Sequence, residues 1–142
     1  MLSVLRFDYR DYQLFEKAIY IRTNVFVKEL NIDPLLECDE FDKIAHHYLI
    51  IENEHPVATA RWRETKNGVK LERFAVPKEH RGKGLGTFLL KEVLKDVKPL
   101  STLIYLHSQH SAVKLYLNNG FEIMGDSFSE AGIKHFYMEY KG

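Results

Sequence analysis

Arg81-Gly82-Lys83-Gly84-Leu85-Gly86, the run RGKGLG, lies between a strand-like segment, Val69 to Val76, and an amphipathic stretch of helical spacing from Leu85 to about Lys95. A strand, a turn with three glycines and a helix start together make an anion cradle. Glycine lets successive backbone N–H groups turn toward one point, and the helix N-terminus adds partial positive charge. The run is not a Walker loop, because its spacing differs and no Lys-Ser/Thr follows the last glycine. Nor is it a dinucleotide fingerprint, since the glycine spacing fails and no N-terminal βαβ unit surrounds it.

Outward from this loop, periodicity orders the chain. Leu2 to Phe7 reads as an opening strand. Asp11 can cap a helix from Tyr12, with Leu14, Phe15, Ala18, Ile19, Arg22, Val25 and Phe26 on one face, and Asn31 to Pro34 breaks it. Glu37 to Lys43 is an acidic connector able to hold a short helix. Ala45 to Glu52 and Val57 to Thr65 read as strands around an Asn53-to-Pro56 turn, and Asn67-Gly68 predicts the hairpin returning through Val69 to Val76. After the glycine loop and its helix come a buried strand at Thr102 to Leu106 and a short helix at Ser111 to Asn118. Phe121 to Met124 and Ile133 to Tyr140 close the chain as a strand pair. The order predicts one mixed α/β (α+β) domain over residues 1–142: an antiparallel meander followed by βα units.

Composition narrows the function classes. Hydrophobic content of 45% argues against disorder, and twenty basic against twenty acidic residues leave no global field to draw nucleic acid or an anionic membrane. The single cysteine, Cys38, excludes an intramolecular disulfide and a multi-cysteine zinc site. It reads as a small core filler with nothing nearby to activate a thiol. Arg6 and Asp8 interrupt the N-terminus before a signal-peptide apolar run forms, and nowhere do about 18 apolar residues run together. A cytoplasmic protein, monomer or homodimer, is expected, with neither membrane nor nucleic acid as partner.

Two motifs carry a family resemblance over essentially the whole chain. Arg81, Gly84 and Gly86 match R-x-x-G-x-G, and Ala112, Leu115, Tyr116, Gly120 and Phe121 match A-x-x-L-Y-x-x-x-G-F. The chain resembles the GNAT superfamily of N-acetyltransferases in both motifs and in element order. Arg22-x-x-Val25-Phe26-Val27-x-Glu29, Glu37-x-Asp39-x-x-Asp42-x-x-x-His46 and Phe128-x-Glu130-x-Gly132-Ile133-x-His135-x-x-Met138 resemble the ElaA-like (YjcF-like) subgroup. Leu30 departs from that pattern, which usually has Gln there.

The resemblance implies the GNAT fold, a mostly antiparallel mixed sheet flanked by helices, and an acetyl-CoA-dependent N-acetyltransferase working by direct attack in a ternary complex. Acetyl-CoA would be the co-substrate, with its pantetheine arm along Phe74, Ala75 and Val76. Its pyrophosphate would sit on Arg81, Gly82, Lys83, Gly84, Leu85 and Gly86, with Gln109 alongside. Tyr116 would be the general acid. For the base that takes a proton from the amine, Glu72 is the first choice, with pairing to Arg61 or Arg63 as its structural alternative. His107 is the second. Glu130 and His135, on the closing hairpin, can reach the cleft or serve the fold.

Arg22, Glu37, Asp39 and His46 are candidate acceptor contacts. The acidic cluster they form with Asp42 and His47 suits a cationic amine, a structural role, or a divalent metal, and no metal is expected. The acceptor is a small amine or a protein amine. Amino-sugar-phosphate acetylation, with Arg22, Arg61 and Arg63 holding a second phosphate, and an acyl-CoA sensor without turnover are the rival functions.

Overall fold

The computed structural model describes residues 1–142. Strand β1 (Leu2–Phe7) leads into α1 (Tyr12–Arg22), whose start is capped by Asp11 accepting from the Leu14 N–H. The helix does not continue in α geometry. Thr23–Glu29 forms a π-helix, with the Leu30 N–H reaching back to the Val25 carbonyl at 3.1 Å. A short helix α2 (Pro34–Glu37) and a 3₁₀ turn (Glu40–Lys43) follow. Then come β2 (His46–Glu52), β3 (His55–Thr65) and β4 (Gly68–Ala75). The second half holds α3 (Leu85–Val97), β5 (Ile104–Gln109), α4 (Val113–Leu117), β6 (Phe121–Ile123), β7 (Phe128–Glu130) and β8 (Ile133–Tyr140).

The strands form one sheet in the order β1-β2-β3-β4-β5-β8-β6, with β7 pairing β8. Every pairing is antiparallel except β4–β5. This is the mixed, mostly antiparallel sheet expected, with β7 added where a plain connection was read. The hairpin after β3 turns on Lys66-Asn67, one residue earlier than expected, because Gly68 already pairs with Thr65. A Cβ at Gly68 would stand 2.4 Å from the Leu103 carbonyl oxygen, so only glycine lets β4 begin there.

Each face of the sheet carries its own core. On one, α3 buries Leu85, Leu89, Leu90, Val93, Leu94 and Val97 at helical spacing against Ile50, Leu71, Leu106 and Met138. On the other, Ala18, Ile21, Val25 and Phe26 pack on Leu49 and Ala75. Strand alternation then decides what β4 and β5 offer this second face: Lys70 and Glu72 stand opposite the core residues Val69 and Leu71, and Tyr105 and His107 opposite Ile104 and Leu106. No helix is long and apolar enough to cross a membrane.

Candidate active site

The parallel pairing of β4 with β5 runs only from Val69↔Ile104 to Leu71↔Leu106. Just beyond, β4 bulges. Arg61 pairs with Glu72 and Thr59 with Ala75, so Ala60 faces both Arg73 and Phe74, and Arg73 takes a left-handed backbone at φ 58°. The bulge redirects β4 where its pairing with β5 ends, and the sheet opens. Phe74 and Ala75 therefore have no strand partner on the β5 side, an edge on which an extended chain can pair.

A cavity of about 330 Å³ occupies this gap, lined among others by Phe74, Gln109, Tyr116, Glu72, His107 and Glu130. Tyr116 reaches it from α4. Its ring packs edge-on against Phe74 and Phe121, and its hydroxyl has no hydrogen-bond partner in the protein. Burial pushes the phenol well above its ordinary value, so it stays protonated and serves as a donor.

The glycine loop stands beside the gap. Gly82 and Gly84 adopt φ values of 81° and 80°, and a Cβ at either would meet nothing within 4 Å, so the loop's inner surface is open backbone. Gly84 begins α3 without a side-chain cap, and the first intrahelical bond there runs from the Phe88 N–H to the Gly84 carbonyl. The Leu85, Gly86 and Thr87 amides are thus the unpaired donors of a 13-residue helix. This donor set fits a pyrophosphate.

Two side chains of the loop depart from the expected phosphate role. Arg81 forms a bidentate pair with Glu29 at 2.7 Å, and its Nε donates to the Val76 carbonyl at 2.8 Å. Its guanidinium ties the loop to the π-helix and to the end of β4, and occupies one lone pair of the Val76 carbonyl. Lys83 is half exposed and 3.6 Å from Glu52. Glu29→Ala is expected to weaken acetyl-CoA binding about threefold by calorimetry, the scale of an exposed ion pair. Tighter binding would instead mean that a released Arg81 serves the phosphates directly.

The acidic cluster proves to be an ionic network with long-range partners. Arg22, 1% exposed, donates to Glu37 and, at 2.8 and 3.1 Å, to both oxygens of Asp42. Arg61, 0% exposed, donates to Asp39 at 2.8 Å, Asp42 at 2.6 Å and Glu72 at 3.1 Å. Arg73 spans from the bulge to the Leu36 and Glu37 carbonyls and Asp39. Burial alone would raise the Asp42 carboxyl, but the Arg22 and Arg61 guanidiniums outweigh it and hold it low.

The sequence-based expectations for the acceptor side change accordingly. Arg22 is sealed under the cavity and cannot contact an acceptor, and His46 stacks on Trp62 outside the cavity. Glu37 and Asp39 do line it, yet both are already ion-paired, so the cluster is not the open negative lip a cationic amine would seek. With Arg22 and Arg61 committed, a second phosphate would find only Arg63 of the three arginines on the wall. Cys38 is exposed rather than a core filler. Partial burial of the thiol and then nearby Asp42 raise it, which lowers its thiolate fraction.

Glu72 and His107, the two candidate bases, share the cavity but differ in surroundings. Glu72 is bonded to Arg61, Arg63 and Lys70. Burial would raise its carboxyl, but these cations outweigh burial and leave it a weak proton acceptor. His107 has a single polar partner, Glu130, at 3.0 Å from Nδ1. Lys70 and Arg73 are wall residues the sequence did not single out. Strand alternation with Glu72 could have found Lys70, whereas nothing local announces the bulge that aims Arg73.

Comparison with known proteins agrees with this geometry. Residues 18–141 match the family model described as an acetyltransferase (GNAT) domain. The chain is 35% identical over 123 residues to YjcF of Bacillus subtilis (strain 168), described as an uncharacterized N-acetyltransferase, covering 85% of this chain and 88% of that protein. The fold is similar to that of Escherichia coli ElaA, with a TM-score of 0.87 at 24% identity, covering 99% of this chain and 100% of that one. It is equally similar to a Pseudomonas aeruginosa acyl-CoA N-acyltransferase, with a TM-score of 0.87, 24% identity and 99% of each chain covered. The gap between β4 and β5, the open glycine loop and these matches lead to one conclusion: the chain belongs to the GNAT family of acetyl-CoA-dependent acetyltransferases, in its ElaA/YjcF-like branch.

Proposed function

We propose that the protein, as one domain over residues 1–142, transfers the acetyl group of acetyl-CoA directly to a small primary amine while both substrates are bound. The observation that carries this reading is the placement of groups on two sides of one gap. The Tyr116 hydroxyl, unbonded and protonated, enters from the α4 side, and the proton acceptors His107 and Glu72 line the same cavity from the other face.

The chain's own residues then divide the work. The free amides of the glycine loop and α3 hold the pyrophosphate, and the unpaired edge at Phe74 and Ala75 aligns the arm, with Gln109 at the cavity wall. A base on the His107 side takes one proton from the acceptor ammonium. The nitrogen lone pair forms the new N–C bond, the C–S bond breaks, and Tyr116 donates its proton to the departing sulfur. The second amine proton returns through solvent to the Tyr116 oxygen, and the proton on the base leaves to solvent, so the balance closes. The exposed thiol of Cys38 lies outside the cavity lining, which supports direct transfer over an acetylated enzyme.

The volume of about 330 Å³ must hold both the reacting end of the donor and the acceptor, which favours a small amine over a bulky one. The test is release of free CoA from acetyl-CoA across a panel of small amines, amino-sugar phosphates and lysine peptides. Acetyl-CoA binding without turnover on any of them would favour the sensor function instead.

A further inference from the structure

We propose that Glu130 is the positioning residue of the acceptor base: it holds His107 as the Nδ1–H tautomer, leaving the Nε2 lone pair to take the acceptor's proton. The assignment rests on the acetyl-transfer reading above and adds to it the identity of the base and the means of its orientation. Its first support is geometric. His107 Nδ1 lies 3.0 Å from Glu130 Oε1, and an ionised carboxylate only accepts, so the proton of a neutral imidazole sits on Nδ1. The hydrogen bond from His107 holds the Glu130 carboxyl below its usual range, which keeps it ionised.

The carboxylate has no competing donor from His135. That ring's Nδ1 donates to the Ile133 carbonyl at 2.8 Å, and its Nε2 stays 3.8 Å from Glu130. The backbone fixes Glu130 as well. Glu130 pairs with Ile133 across Ala131 and Gly132, at φ values of 52° and 75°, the two consecutive left-handed residues of a tight hairpin turn. Alanine is a costly choice for that conformation, and Ala131 itself lines the cavity, so a small residue is kept at its mouth.

Aromatic rings hold the imidazole in place. Phe128 stands edge-on at 5.2 Å, Tyr137 at 5.9 Å and Tyr105 at 6.3 Å. The titratable and charged groups facing the pair are His135 and Tyr137 from β8, Tyr105 from β5 itself, and Lys70 and Glu72 from β4. Glu72 is already held by three cations, so His107 is the acceptor on this face whose lone pair is free.

The test uses the whole protein, an amine from the panel that it acetylates, and two variants. His107→Gln is expected to lower kcat/KM by about 10²–10³-fold. Glu130→Gln replaces a carboxylate that only accepts with an amide that can donate to Nδ1 or accept from it. The change therefore frees the tautomer and lowers kcat about tenfold, with acetyl-CoA affinity unchanged. The nitrogen chemical shifts of the His107 ring by NMR in wild type and Glu130→Gln read the tautomer without turnover, with Nδ1–H expected to dominate in wild type and a mixture in the variant. Wild-type kcat and an unchanged His107 tautomer in Glu130→Gln would overturn the assignment while leaving acetyl transfer intact. A wild-type protein that binds acetyl-CoA but acetylates no amine overturns the transfer reading and this assignment with it.

Discussion

Tyr116→Phe is expected to lower kcat by about 10²–10³-fold, with the Kd for acetyl-CoA and the melting temperature essentially unchanged. The separation of effects follows from the environment of one oxygen atom. The ring of Tyr116 is buried, 6% exposed, and its contacts with Phe74 and Phe121 are kept by phenylalanine. The hydroxyl bonds to nothing in the protein, so the fold does not depend on it. It opens into the cavity, where a departing thiolate needs a proton. Burial raises the phenol and thereby keeps the proton available at any pH at which the enzyme works. Steady-state kinetics with calorimetric binding would check this, and unchanged turnover in the variant would remove Tyr116 from the chemistry.

Asp42→Ala should destabilise the fold by about 3–5 kcal/mol, the cost of leaving buried charge uncompensated. In a domain of this size that lowers the melting temperature by roughly 10 °C or more. Asp42 accepts from both Arg22 and Arg61, which are 1% and 0% exposed, and neither guanidinium can turn to water when the carboxylate is lost. A double-mutant cycle identifies the cause. Arg22→Met removes one of the stranded cations while keeping a long apolar chain, so Asp42→Ala in that background should cost less, by about 1–3 kcal/mol. Additive losses would mean that Asp42 acts through the turn around Glu40–Lys43 rather than through charge. Denaturant unfolding of the four proteins provides the measurement.

The network also shows where reading along the chain reached its limit. Glu37, Asp39 and Asp42 are close in sequence and look like one acidic patch. In the fold each meets two arginines from different elements: Glu37 meets Arg22 from α1 and Arg73 from the β4 bulge, Asp39 meets Arg61 from β3 and Arg73, and Asp42 meets Arg22 and Arg61. Pairing at such separations leaves no periodic signal, so along the chain the patch suits a cationic amine, a structural role or a metal alike, and only in space is it neutralised scaffold. The choice of base meets the same limit. Glu72 sits on the expected strand, but three cations converge on it in space, while the partner that orients His107 comes from a hairpin 23 residues away.

The π-helix was equally invisible. Apolar spacing through Val25 and Phe26 suits a continued α-helix, and the change to i→i+5 bonding shows only when these residues pack on Leu49 and Ala75. Glu29 at its end pairs with Arg81 and so ties the π-helix to the glycine loop.

What the sequence determined by itself is local in origin. Three glycines before a helix of strict apolar spacing make an anion cradle wherever the chain runs, because backbone freedom and the helix N-terminus belong to the segment itself. The spacing of Tyr116 to Gly120-Phe121 likewise set a tyrosine on a short helix before a strand. Only the tertiary structure decided which charges are free and which are spent. Whether a carboxylate is a base, a lip or a strut depends on the cations and on the water that reach it, and packing alone brings those together.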